Sequence, residues 1–301
     1  MKDLSNGASM SHEAHEKHLD NLISEKEQRL FHIKNKDCVS YKLNVRTLDM
    51  LSPFYEKSNT WLSIADYNGL EANYLLGKSQ NVMASDISDA FLKAAKEEGL
   101  IPDFRKINVE KIDFPDDSFD YVSCREAFHH FPRAYLGLYE MIRVSKKAAI
   151  IVEPVDVLAK MPLLLLVKNI LDWFNPLLIN KLWKNRFSFE VVGNYVFKIS
   201  EREIEKMAMG IGLRMIAFKG INILLDVKGN VLETPMNTQL WNKIQKRLNR
   251  KDIPCRLKLI PYNTLCCIVF KEVPEESILA KLKAEGFKII PLPENPYLKK
   301  A

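Results

Sequence analysis

The chain has 301 residues, 47% of them hydrophobic and 27% charged, with a formal charge of +6. That composition excludes a fibrous or low-complexity protein and leaves room for one sizeable core with insertions. The basic excess reads as mild and interleaved with acids, so charge alone implies neither nucleic acid nor an anionic membrane surface. Five cysteines without C-x-x-C spacing, and a polar N-terminus, predict a reduced cytoplasmic setting. The longest apolar run, Met161 to Val167, stops at Lys168, far short of the ~20 residues of a membrane span. A soluble protein is expected.

Residues 1–35 are polar and helix-prone, with His12, His15 and His18 recurring every third residue on a drifting helical face. The reading is a solvated or partner-facing helix rather than a metal site. From Trp61 the pattern alternates. Apolar runs 61–66 and 81–86 each end in an acid, Asp66 and Asp86, and each precedes a helix-like stretch, 70–76 and 88–98. Ser88 is a candidate N-cap and Gly99 a candidate C-cap. A short strand near 104–109 leads into the turn Pro115-Asp-Asp-Ser118, then strand 119–124, helix 134–144 and the apolar strand 148–154. Strands alternating with helices predict an α/β fold with a parallel sheet and helices on both faces. Residues 155–197 break the rhythm. It resumes with helix 200–211, where Ser200 and Glu203 match a capping box and Gly212 stands at the C-terminal cap. Strands 213–219 and 264–270 follow, separated by a stretch with a likely-helical run at 238–248, and a helix-then-strand pattern occupies 274–290.

The residues Phe114–Val122, His129-His-Phe131, Tyr139–Lys147 and Val152-Glu-Pro154 resemble the core of class I S-adenosylmethionine-dependent methyltransferases. The resemblance is close over 60–154 and follows pattern only over 199–271. It implies a Rossmann-like, seven-stranded sheet with the last strand, 264–270, antiparallel. It divides the chain into an N-terminal helical extension (1–50), a methyltransferase-like domain (51–271) with insertions at 155–197 and 222–260, and a C-terminal helix-strand appendage (272–301). One feature departs from the family. The first motif should read D/E-x-G-x-G-x-G, but here it is Ser63-Ile-Ala-Asp-Tyr-Asn-Gly69, with Ala65 and Tyr67 in place of the first two glycines. Glycine serves there because the backbone passes close to the cofactor, often with positive φ.

By this resemblance the cofactor is S-adenosyl-L-methionine, and the loop with Asp66, Asn68 and Gly69 lies under its methionine part, Asp66 near the ammonium. Asp86 accepts from the two ribose hydroxyls, Ile87 packs on the adenine, and Asn108 and Val109 meet the adenine amino group. Ser123, Arg125 and Glu126 approach the methyl-transfer site, and His129 or His130 is the candidate base for an acceptor hydroxyl. Beside these roles stand plainer ones: strand-end acids at 66 and 86, a turn residue at Asn108, a core or surface histidine at 129 or 130. No metal is expected.

The insertion 155–197 is where such folds set substrate specificity. Leu163, Leu164, Val167, Ile170, Leu171, Phe174 and Leu178 fall near i, i+3, i+4, i+7 spacing, with Lys168, Asp172 and Asn175 on another side. Three readings fit: an amphipathic lid over the core, a peripheral membrane or lipid-linked substrate contact through 161–186 with Lys181, Lys184 and Arg186 beside Trp173 and Trp183, and a homodimer contact. The expected function is methyl transfer to a small-molecule or glycan-type acceptor, with surface-polysaccharide biosynthesis suggested by the resemblance. The alternative is a non-catalytic scaffold whose altered loop has lost the cofactor. A nucleic-acid substrate is not expected, since no Asn-Pro-Pro-Tyr tetrapeptide or concentrated basic patch is found.

Overall fold

The computed structural model describes residues 4–156, 161–174, 188–189, 195–223, 235 and 238–297. Eight strands make one sheet: β1 (Thr60–Ile64), β2 (Asn81–Asp86), β3 (Phe104–Lys106), β4 (Phe119–Arg125), β5 (Ser145–Pro154), β6 (Met215–Ile221), β7 (Thr264–Phe270) and β8 (Lys288–Pro291). The helices are α1 (Leu4–Asn21), α2 (Lys26–Lys34), α3 (Val39–Asp49), α4 (Leu70–Leu76), α5 (Ala90–Glu97), α6 (Ala134–Val144), α7 (Pro162–Phe174), α8 (Glu201–Gly210), α9 (Gln239–Arg256) and α10 (Glu276–Ala284).

The strand order is β3-β2-β1-β4-β5-β7-β6-β8. Strands β1 to β5 pair in parallel, and β7 runs antiparallel between β5 and β6. The expected antiparallel strand 264–270 is therefore in place. The expected count of seven strands is one short, because the 272–301 segment does not stand apart: its strand β8 pairs antiparallel with β6, Ile216 opposite Ile290.

Period-2 alternation puts the two layers of core on opposite faces. Trp61, Tyr121, Ala148 and Ile150 meet side chains of α2, α3, α4 and α10, such as Leu30, Leu48, Leu75 and Leu282. Leu62, Val122, Ala149 and Ile151 meet Leu138 and Met141 of α6 and Ile204 and Ala208 of α8. Each fully buried Leu or Ile contributes roughly 1.5–3 kcal/mol over its exposed form. Trp61 also places its indole N–H on Gln80 Oε1 at 3.1 Å, so the one polar atom of the largest core side chain is satisfied.

Local signals act as the residue types require. Ser200 Oγ accepts from Glu203 N at 3.3 Å while Glu203 Oε2 accepts from Ser200 N at 3.0 Å, a closed capping box at the start of α8. Gly212 and Gly99 end their helices with φ of +76° and +70°. All five cysteines are buried and free. Among the described residues no helix is long and apolar enough to cross a membrane.

The order reverses between β1 and β4: one half of the sheet grows outward through β2 and β3, the other through β5. A crevice must open at the carboxyl ends of the strands at such a point.

Candidate active site

The crevice holds a cavity of about 610 Å³, lined from below by Ile64, Ala65, Tyr67, Asp86, Ile87 and Glu126. Its size lies within the range of small-molecule and cofactor sites. The floor is built by the turns that follow β1, β2 and β4.

After β1 the chain bends through Ala65 at φ +55°, the left-handed conformation that glycine adopts freely and alanine at a cost. The backbone therefore keeps the path of the glycine motif although the first glycine is gone. The Asp66 N–H is held to Ser85 O at 2.9 Å. The Tyr67 ring packs edge-on against Phe91, with centroids 5.5 Å apart, and its side chain bonds Arg29. Tyrosine at the second glycine position thus forms part of the wall rather than a plug. Gly69 follows at φ +75°, and a Cβ there would meet Ile101 Cγ2 at 3.0 Å, so this last glycine is required by both backbone and space.

Asp66 does not face the cavity. Its Oδ1 accepts from Glu71 N at 3.1 Å and its Oδ2 from Ala72 N at 2.8 Å, closing the N-terminus of α4. Asn68 is likewise occupied, accepting from Leu70 N at 3.3 Å and donating to Arg29 O at 3.1 Å. Asp86, by contrast, lines the cavity at the end of β2, with Ser88 N donating to its Oδ1 at 2.9 Å. Burial, with the nearby Asp66 carboxylate adding, pushes its pKa up to about 7. Ile87, Ile107 and Val109 give the cavity an apolar flank beside it. Asn108 turns away: its Oδ1 accepts from Glu110 N at 2.9 Å, fastening its own turn, and it borders a smaller hollow with Lys106 and Arg133.

At the end of β4 the candidates separate. Ser123 donates from Oγ to the Glu71 carboxylate. Arg125 lies beneath the loop, with Nε 4.0 Å from Glu71 Oε2 and Nη1 3.7 Å from Glu126 Oε2. Burial pushes Glu71 up to about 7, with Asp66 adding and Arg125 opposing, while burial and the Arg125 charge push His32 down to about 4. Arg125 thus offsets buried acids under the floor and is not among the cavity's lining residues. Glu126, at φ +52°, and His130 do line the cavity.

Behind that turn is a residue the sequence reading gave no role. Glu153, fully buried at the end of β5, accepts from Ala127 N at 2.8 Å and Phe128 N at 2.9 Å through Oε1, and its Oε2 lies 2.6 Å from His129 Nδ1. His129 stacks on His130 with ring centroids 4.0 Å apart. Glu153 therefore fixes the turn that presents His130. Its only sequence signal was an acid ending a buried apolar strand, as at 66 and 86.

The roof is α1. Contrary to the expectation of a solvated or partner-facing helix, Ser11, His12, His15, His18 and Leu19 line the cavity, and the His15 ring lies 5.4 Å from that of His130. Three polar ties hold α1 across the strand ends. Glu16 meets Lys106, Asp20 Oδ1 accepts from Ser88 Oγ at 2.6 Å, and His12 Nε2 lies 3.3 Å from Glu110 Oε2. Arg133 also grips Glu110, its N and Nε each at 2.7 Å; burial opposes ionisation there, but His12 and Arg133 hold the Glu110 carboxyl down to about 2. Among the described residues no group of three His, Cys, Asp or Glu could hold a metal ion.

Of the sequence candidates, the structure brings Asp86, Ile87, Val109, Glu126 and His130 to one cavity. Asp66, Asn68, Gly69, Asn108, Ser123, Arg125 and His129 serve its walls and supports. In the insertion, the described helix α7 leaves Leu163, Leu166, Ile170, Trp173 and Phe174 exposed rather than packed on the core. Leu178, Lys181, Trp183, Lys184 and Arg186 lie outside the described residues.

Residues 62–152 match the family described as a methyltransferase domain. An uncharacterized methyltransferase of Bacillus subtilis, YcgJ, is 43% identical over 44 residues, a stretch that spans 15% of this chain and 17% of that relative. A methyltransferase of Haloferax volcanii, solved in complex with the Trm112 methyltransferase activator, superposes over 85% of this chain and 98% of its own at 15% identity and a TM-score of 0.52. The YcgJ crystal structure covers 76% of this chain and 98% of its own at 20% identity and a TM-score of 0.46. The fold, and the segment that matches, are those of class I S-adenosylmethionine-dependent methyltransferases, as residues 114–154 led us to expect.

Proposed function

We propose that this protein transfers a methyl group from S-adenosylmethionine to a small-molecule or glycan-type acceptor. The observation that carries the reading is the cavity at the sheet's switch point with the Asp86 carboxylate on its floor. When bound, the cofactor supplies an electrophilic methyl group on a sulfonium. The chain's residues hold it. Asp86 accepts the ribose hydroxyls, Ile87 and Val109 enclose the adenine, and the 65–69 backbone passes under the methionine end. The fit is supported by Ala65, which keeps glycine's backbone conformation, and by Tyr67, which turns onto Phe91. Both favour the enzyme over a scaffold with a lost cofactor site.

His130 and Glu126 stand where an acceptor would approach, and α1 screens the site from water. An imidazole suits removal of a hydroxyl proton near neutral pH, and Glu153 holds the turn that aims it. Alignment of acceptor and methyl supplies most of the remaining acceleration. A role in surface-polysaccharide biosynthesis is the finer reading, supported by the sequence resemblance alone.

Calorimetry with S-adenosylhomocysteine tests the proposal. One-to-one binding by the purified chain is expected. Absence of binding in a folded sample would sink the enzyme reading and leave the scaffold.

A further inference from the structure

The charge excess is not spread along the chain as a first reading of the sequence suggests. Residues 239–263 contain seven basic residues and one acid, a surplus of +6 that equals the surplus of the whole chain. The remaining residues balance to neutrality. The single acid, Asp252, is buried and accepts from Asn222 Nδ2 at 2.8 Å, so no carboxylate on this segment's surface opposes the cations.

The helix α9 sorts these residues by face. Lys243, Lys246, Arg247, Arg250 and Lys251 fall at i, i+3, i+4, i+7 and i+8, one exposed stripe. Ile244 and Leu248 point the other way, packed with Val39 of α3. At the end of the stripe the polarity changes. Ile253, Leu257 and Leu259 are exposed, Leu257 by 65% and Leu259 by 69%. Cations along a helix leading to exposed aliphatic side chains make a surface suited to lipid: the cations meet anionic headgroups, and the apolar end enters the boundary beneath them. A nucleic-acid surface has no use for the aliphatic end.

Topology places this element on the side of the candidate site. Ile221 at the end of β6 and Pro154 at the end of β5 both pair with Thr264 at the start of β7. The segments that carry α7 and α9 therefore both leave the carboxyl edge of the sheet, where the cavity opens. Trp173, 85% exposed, and Phe174 on α7 add apolar surface to segments of that edge.

We propose that α9 and the residues to Ile260 dock the protein on an anionic phospholipid surface. The inference stands apart from the methyltransferase reading, because it rests on the segment's own charge and exposure. If both hold, the acceptor is one presented at a membrane.

The test is co-sedimentation of the full chain with phosphatidylcholine vesicles, with and without about a third phosphatidylglycerol. Binding to the anionic vesicles alone, weakening as salt rises, is expected. The variant Lys243→Glu/Lys246→Glu/Arg250→Glu should bind at least about tenfold more weakly, with its circular dichroism and its affinity for S-adenosylhomocysteine unchanged. Leu257→Ser/Leu259→Ser should weaken the binding that persists at physiological salt. Equal binding to both vesicle types, binding to neither, or no response to the charge reversal overturns the proposal. Retention of an oligonucleotide at physiological salt without vesicle binding overturns it in favour of nucleic acid.

Discussion

The turns after β1 and β2 begin alike in sequence and end differently in space. Each follows an apolar strand, each opens with a buried aspartate, and each leads into a helix. Yet Asp66 spends both oxygens on the backbone of α4, whereas Asp86 stands on the cavity floor. The difference lies in the helix that follows. The cap residue of α4 is Gly69, which has no side chain to offer, so the first N–H groups of the helix draw in Asp66. Before α5 the hydroxyl of Ser88 meets Ala90 N at 3.3 Å, and Asp86 is left to face inward. A strand-end carboxylate is available to a ligand only where something else caps the next helix.

Exchanging roles by mutation tests that contrast most strongly at Asp86. Asp86→Ala should weaken S-adenosylhomocysteine binding by about 1–3 kcal/mol, or roughly 5- to 150-fold, through loss of charge-assisted hydrogen bonds. Asp66→Asn keeps one acceptor oxygen and loses the charge at the helix N-terminus. It should cost about 1–2 kcal/mol of stability and lower Tm by several degrees, with affinity changed less than about threefold. Comparable affinity losses in two folded variants would dissolve the distinction between the two acids.

Acidity separates the two turns next. Burial raises Asp86 to about 7 from an ordinary value near 3.8. Because the folded state holds the proton more tightly than the unfolded one, the stability this group contributes is full below about pH 4 and is lost as pH rises toward 7. In cofactor-free protein the Tm of Asp86→Asn relative to the native chain should therefore climb between about pH 5 and 8. The complementary measurement is affinity for S-adenosylhomocysteine, which should fall as pH drops below about 7 and the carboxylate takes its proton. A Tm difference that stays flat across this range would mean that Asp86 is not held in a desolvated site.

Much of the floor was legible because it depends on local signals. The alternation of strands and helices, the capping box at Ser200 and Glu203, and Asp86 at a strand end all follow from residues within a turn or two of one another. The roof was not. Spacing put His12, His15 and His18 on one face of a helix, but the groups that face meets come from the ends of β2, β3 and β4. Glu153 escaped for the same reason: the N–H groups of Ala127 and Phe128 that it holds lie 26 and 25 residues away. The side-chain direction of Asp66 depends on Gly69, a neighbour read only as a loop glycine. The charge on α9 was visible all along, diluted by averaging over the chain.

The smallest expected effect is at Ala65, and it tests whether the altered loop keeps its glycine-like path. A left-handed alanine costs about 1–2 kcal/mol relative to ordinary backbone, and Ala65 stands at φ +55°. Glycine removes that cost but gives the unfolded chain more freedom, worth about 0.4–1 kcal/mol against folding. Ala65→Gly should therefore stabilise by about 0.5–1 kcal/mol and raise Tm by a few degrees at most. Because the backbone path is unchanged, affinity for S-adenosylhomocysteine should stay within about twofold, RT being ~0.6 kcal/mol. A large gain in affinity would reveal a methyl group that intrudes on the ligand. A loss of stability would mean that the loop after β1 does not turn through a left-handed residue, and with it would go the argument that alanine here preserves the cofactor's floor.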